Sequence, residues 1–155
     1  MIELNQKDII TLLIKQEKLL SRLYTIFYNK LPAHKNFWET LAKEEQLHAK
    51  WLEQLYGAEE KNLVHFDEGK ITLVSINMVT KGIQDMIQTA KSGEIDDKTA
   101  LIKTADIERS LIEKKVFSQF NGLNEKAKAT MKLLERETKK HLAKIEAYYK
   151  QVMSS

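Results

Sequence analysis

An all-α fold is predicted by three observations. Apolar residues recur in steps of three and four through every long segment, the spacing that gathers them on one face of a helix. Glycine and proline, which interrupt helices, number only five and one. Charged residues make up 30% against 43% hydrophobic ones, a balance that suits helices with one buried and one solvated face. A chain of 155 residues is expected to form one domain over 1–155 and to bury roughly two thirds or more of its unfolded surface.

The first helix is expected from Asn5, whose side-chain oxygen suits a cap, to about Leu31, where Pro32 stops it. Its stripe reads Ile10, Leu13, Glu17, Leu20, Tyr24, Phe27, Leu31, apolar but for one carboxylate. After the turn at Pro32 and Ala33, a second helix from about Asn36 to Tyr56 carries Phe37, Leu41, Glu45, His48, Leu52 and Leu55 on one face, with Gly57 as its stop. So short a loop makes the two helices antiparallel neighbours. Residues 58–70 read as a polar connection containing Asp67 and Gly69.

A further helix over Ile71 to Lys91 repeats Leu73, Ile76, Val79, Ile83, Met86 and Ile87, with Thr72 or Ser75 as its cap and Ser92 and Gly93 as its close. No acid or histidine interrupts that stripe, so it is read as a crossover helix that adds core without chemistry. The next helix starts near Asp96 and Asp97, acids that complement a helix N-terminus, and ends before Gly122. Its inner face is Leu101, Thr104, Ala105, Glu108, Leu111, Ile112, Lys115 and Gln119 or Phe120, and Glu113 lies about 140° away from Glu108 on the surface side. The last helix, capped by Asn124, runs to about Val152 with Met131, Leu134, Thr138, His141, Ile145, Tyr148 and Val152 inward.

Composition narrows the function. Without cysteine there is no disulfide, thiolate metal site or cysteine nucleophile, so metal could bind only through nitrogen and oxygen. The net charge of +3 comes from lysines interleaved with acids rather than from a concentrated patch, which argues against nucleic acid. No apolar run approaches the roughly 18 to 20 residues that span a bilayer, and the opening residues Met1 to Asn5 do not form a signal peptide; a cytoplasmic protein without a membrane partner is expected.

The chemistry is concentrated on buried stripes. Glu45 and His48, three residues apart on a helix, point within about 60° of each other and could hold one metal ion. Glu17, Glu108 and His141 repeat the situation on the other helices. Singly, each has a plainer reading: a rim carboxylate, or a core histidine satisfied by a hydrogen bond. Together the two halves of the chain match, an inward Glu (Glu17, then Glu108) followed by an inward His (His48, then His141). Carboxylate-bridged dimetal bundles use a Glu from each of two helices and a Glu-x-x-His from each of the other two. Thr138 stands where the second Glu-x-x-His would have its Glu, and Glu137, about 40° round the helix from His141, is the alternative carboxylate.

Through Glu17 with Tyr24 two turns on, Glu45 to His48, Glu108 and His141, the chain resembles the ferritin-like superfamily, and within it the rubrerythrin-like proteins. The resemblance implies an antiparallel four-helix bundle with an additional crossover helix between the second and third bundle helices. It also implies a non-haem di-iron centre that reduces dioxygen or peroxide, with Tyr24 beside the metals as the candidate catalytic residue. The metal ligands would be Glu17, Glu45, His48, Glu108, Glu137 and His141, which would also accommodate manganese or zinc. Rubrerythrins carry a cysteine-ligated iron domain that this chain lacks, so an external electron donor is implied; a homodimer is among the assemblies the sequence allows. The alternative is a metal-free bundle serving as a structural or interaction module, with a lysine such as Lys115 answering the buried acids.

Overall fold

A computed structural model describes residues 6–60, 64–66, 73–93, 95–113, 120–122 and 125–154. Its elements are helices α1 (Gln6–Lys30), α2 (Lys35–Glu60), α3 (Leu73–Lys91), α4 (Asp97–Glu113) and α5 (Glu125–Met153), with two short strands, β1 (Val64–Phe66) and β2 (Phe120–Gly122). The fold is all-α in class. None of the described helices is long and apolar enough to cross a membrane.

Local chemistry sets the helix ends. Pro32 has no N–H and crowds the residue before it, so Leu31 leaves the helical region at φ −122° and ψ 74°. A single 3₁₀ turn, Pro32–His34, then leads directly into α2. Gly93 closes α3 with a left-handed φ of 88°, a conformation that glycine adopts without a Cβ clash. Asp96 caps α4, its Oδ1 accepting the Thr99 N–H at 2.7 Å.

Packing follows the stripes. Every member of the first stripe, Ile10 to Leu31, is buried, and the buried face of α2 adds Trp38, Leu41, Leu52 and Leu55. α1 packs along α2 and is backed by α3, while α4 packs on α5 and α5 on α2. Polar ties fix these pairings. Ser21 Oγ donates to the Ala42 carbonyl at 3.0 Å between α1 and α2. Gln16 Nε2 donates to the Ile76 carbonyl and to Thr80 Oγ1, at 3.0 and 2.9 Å, between α1 and α3. Arg109 Nε donates to Glu146 Oε1 at 2.7 Å between α4 and α5.

Three expectations change. Gly57 does not stop its helix, because α2 continues to Glu60, and among the described residues only Gly93 takes a positive φ. A glycine in a right-handed conformation weakens a helix by about 1 kcal/mol without ending it. The connection 58–70 is not wholly irregular: α2 takes its first residues, and Val64–Phe66 pairs antiparallel with Phe120–Gly122, Val64 opposite Gly122 and Phe66 opposite Phe120. Phe120 therefore belongs to a strand and not to the inner face of α4, consistent with the preference of Val and Phe for extended backbone. Asn5, Thr72, Lys115, Gln119 and Asn124 lie outside the described residues, as do the side chains of Ile112 and Glu113.

Candidate metal centre

Four helices place one donor or more each in the interior: Glu17 from α1, Glu45 and His48 from α2, Glu108 from α4 and His141 from α5, all buried. The helical repeat explains the local part, since Glu45 and His48 lie one turn apart on the face that also buries Leu41 and Leu52. The donors form two trios, Glu17–Glu45–His48 and Glu45–Glu108–His141, the donor atoms of each trio lying within 4.8 Å of one another. Glu45 belongs to both.

Glu45 spans the centre through its two oxygens. Its Oε2 lies 3.4 Å from Nδ1 of His48, and its Oε1 lies 2.6 Å from Nε2 of His141. Among the described residues neither oxygen finds a hydrogen-bond donor, and Oε2 of Glu17 is likewise buried without one. In the first trio Glu17 Oε2 stands 3.8 Å from the same Nδ1 of His48. In the second, Nε2 of His141 is hydrogen-bonded to Glu108 Oε1 at 2.9 Å, and the Tyr24 hydroxyl donates to that oxygen at 2.7 Å. The two imidazoles meet edge to face, their centroids 5.5 Å apart.

Burial and close charges pull the titrating groups apart. Burial, with the neighbouring Glu45, pushes the Glu17 carboxyl well above the usual range. Burial acts upward on Glu45 too but is outweighed, chiefly by the charge of the adjacent His141, leaving it well below. Burial raises Glu108 against the opposing pull of His141. For His48 burial favours the neutral ring, yet the Glu17 and Glu45 carboxylates prevail and raise it to about 10. His141 is raised further by Glu108 and Glu45. Burial and the Glu108 carboxylate raise Tyr24 well above its ordinary value, so the phenol keeps its proton.

These donors fit a divalent ion in kind and in spacing. Ions held about 2.1 Å from each oxygen or nitrogen need donor atoms roughly 3 Å apart. The closest imidazole–carboxylate separations, 2.6, 2.9, 3.4 and 3.8 Å, bracket that spacing. Buried carboxylate oxygens without a donor are costly, and a metal ion would satisfy them.

The remaining candidates are placed as follows. Glu137 faces outward, 3.5 Å from Lys140 Nζ and 3.9 Å from Arg136 Nε, its side chain 30% exposed and apart from both trios. The 40° that separate it from His141 carry it past the edge of the buried stripe. Thr138 takes the inward position, buried with its Oγ1 unpartnered. The carboxylate found at His141 is instead Glu44, whose Oε2 lies 2.6 Å from Nδ1. Sequence reasoning passed over Glu44 because it sits about 100° round α2 from Glu45, off the apolar stripe. Its one sequence signal is a charge opposite in sign to Lys144, whose Nζ donates to Glu44 Oε1. Among the described residues, Lys144 is the basic side chain, other than histidine, that touches this network. Comparison of the sequence with family models, with curated proteins and with solved structures finds no match.

Proposed function

We propose that the protein binds two metal ions between α1, α2, α4 and α5, arranged as an antiparallel four-helix bundle of ferritin-like, rubrerythrin-like type with α3 as the crossover helix. The observation that carries this reading is Glu45, a buried carboxylate whose two oxygens face different imidazoles and, among the described residues, accept no hydrogen bond. Glu17 and His48 complete one position, Glu108 and His141 the other. Carboxylate and imidazole donors suit iron first, with manganese or zinc taken by the same set.

Three carboxylates, Glu17, Glu45 and Glu108, leave one positive charge uncompensated against two divalent ions, so a hydroxide or similar anion would complete the balance. Bound iron would supply ferrous–ferric redox chemistry, directed at dioxygen or peroxide. Reduction of peroxide to two waters consumes two electrons and two protons. With no cysteine in the chain, the electrons are assigned to an external donor. Tyr24 holds Glu108 in place through its hydroxyl and keeps its own proton within the site.

A second reading is supported by the hydrogen bonds of His141, whose two nitrogens are matched by Glu44 and Glu108 without any metal. Under it the centre is a buried ion network in a structural or interaction module. The two are separated by purification without chelator and elemental analysis, followed by anaerobic reconstitution with ferrous iron. About two ions per chain is the result expected for a dimetal carboxylate site. A chain that takes up no metal is the second reading.

A further inference from the structure

The two imidazoles of the centre are held in different ways. Among the described residues, every polar contact of His48 runs through Nδ1, toward Glu17 and Glu45. His141 turns the other nitrogen inward: Nε2 faces Glu45 and Glu108, while Nδ1 points to Glu44 at 2.6 Å. Glu44 is itself braced, since its second oxygen accepts from Lys144, one turn beyond His141 on α5. The side chain of Glu44 is 28% exposed while that of His141 is 2% exposed, so the pair joins the surface of α2 to the interior through one hydrogen bond.

An imidazole that offers one nitrogen to a metal must keep its proton on the other. A carboxylate accepting that proton's hydrogen bond fixes the tautomer, orients the ring and makes the free nitrogen a better donor. From this geometry we propose, building on the dimetal reading, that Glu44 is the positioning residue of the His141 metal position: it holds Nδ1–H and thereby commits Nε2 to the ion. Among the described residues no carboxylate does this for His48, so the two positions are unequal. The His141 position is prepared in advance and fills first, and the His48 position fills second and more weakly.

Zinc serves as the probe, followed by calorimetric titration of the full chain and by nitrogen NMR of its histidines. Wild type is expected to show two unequal binding steps, with His141 in the loaded protein protonated at Nδ1 and bound through Nε2. Glu44→Ala should weaken the tighter step by about 10- to 100-fold, the usual size of such losses, and leave the other step near its wild-type value. Glu44→Gln, whose amide oxygen still accepts from Nδ1–H, should recover most of the loss, whereas a merely structural role would not distinguish it from Ala. Zinc bound through Nδ1 of His141 overturns the proposal from the wild-type protein alone, whatever the variants do. Unchanged binding in Glu44→Ala, or equal loss of both steps, overturns it while leaving the dimetal reading standing. A wild type that binds no zinc also overturns it, and the ferrous iron reconstitution then decides the dimetal reading separately.

Discussion

Glu45 and His141 carry the centre at the scale of single residues. Glu45 is shared, so Glu45→Ala is expected to abolish binding at both positions, while His48→Ala removes one ion and Glu137→Ala, at its surface ion pairs, removes none; elemental analysis of each purified variant reads the difference. The metal-free protein should also respond to pH in a defined direction. His48 is raised from 6.5 in the unfolded chain to about 10 when folded, so its contribution is fully present below pH 6.5 and is lost as pH rises toward 10. Glu17, raised by burial, acts in the same sense above the ordinary carboxylate range. Glu45, lowered, adds stability that disappears only as the pH falls into the acid range. Denaturant melts of chelator-treated protein should therefore show stability falling between pH 6.5 and 10, less steeply in His48→Ala, where the raised His141 still contributes. Metal affinity should move oppositely over that range, since each proton displaced from an imidazole gives up to about tenfold per pH unit.

Glycine separates the roles of the elements. Gly57 lies inside α2 and, among the described residues beyond its own helix backbone, no atom lies within 4 Å of an added Cβ, so Gly57→Ala lowers the entropy of the unfolded chain without a clash. An increase of about 0.5–1 kcal/mol in unfolding free energy is expected. Gly93 has the opposite character, its φ of 88° being strained for any side chain, and Gly93→Ala should lower stability by about 1 kcal/mol or more. Melts of the two variants, expected to shift in opposite directions, test whether α2 passes through its glycine while α3 ends on its own. The same distinction explains the reading of Gly57 as a helix stop. Residue type signals a permitted conformation, and only the backbone shows whether it is used.

At the scale of the whole molecule, metal and fold should be coupled. The donors come from four helices, so an ion bound among them favours the folded chain over the unfolded one, by about 2.7 kcal/mol at a hundredfold excess over its dissociation constant. Thermal melts with and without chelator should differ accordingly, and Glu45→Ala should melt at one temperature in both conditions. The wedge of aromatic side chains at one end of the centre supports the same arrangement without metal. Trp38 packs against Phe27 and Tyr24 at ring-centroid distances of 4.7 and 6.0 Å, and Tyr24 in turn reaches Glu108. Trp38→Ala should cost about 3–5 kcal/mol, measured by denaturant unfolding.

Much of this was legible in the sequence because a helix repeats locally. The 3.6-residue turn is set by backbone geometry, so Glu17, Tyr24, Glu45, His48, Glu108, Thr138 and His141 could all be assigned to buried faces before any packing was known, and all are buried. Which face meets which is a property of the packed chain. The sequence located the weakness at the His141 half, where Thr138 replaces a carboxylate; the folded chain brings Glu44 from the second helix to that ring and gives it closer contacts, 2.6 and 2.9 Å, than the 3.4 and 3.8 Å of the His48 half. Strand pairing between Val64–Phe66 and Phe120–Gly122 was hidden for the same reason, since its hydrogen bonds join residues far apart in the chain. Sequence alone thus determined most of the helices and the buried faces on which Glu17, Glu45, His48, Glu108 and His141 lie, consequences of neighbouring residues. Tertiary structure decided that Glu45 would be shared, that Glu44 and not Glu137 would stand at His141, and that the two halves would be unequal, because each depends on how α2 and α5 lie against each other.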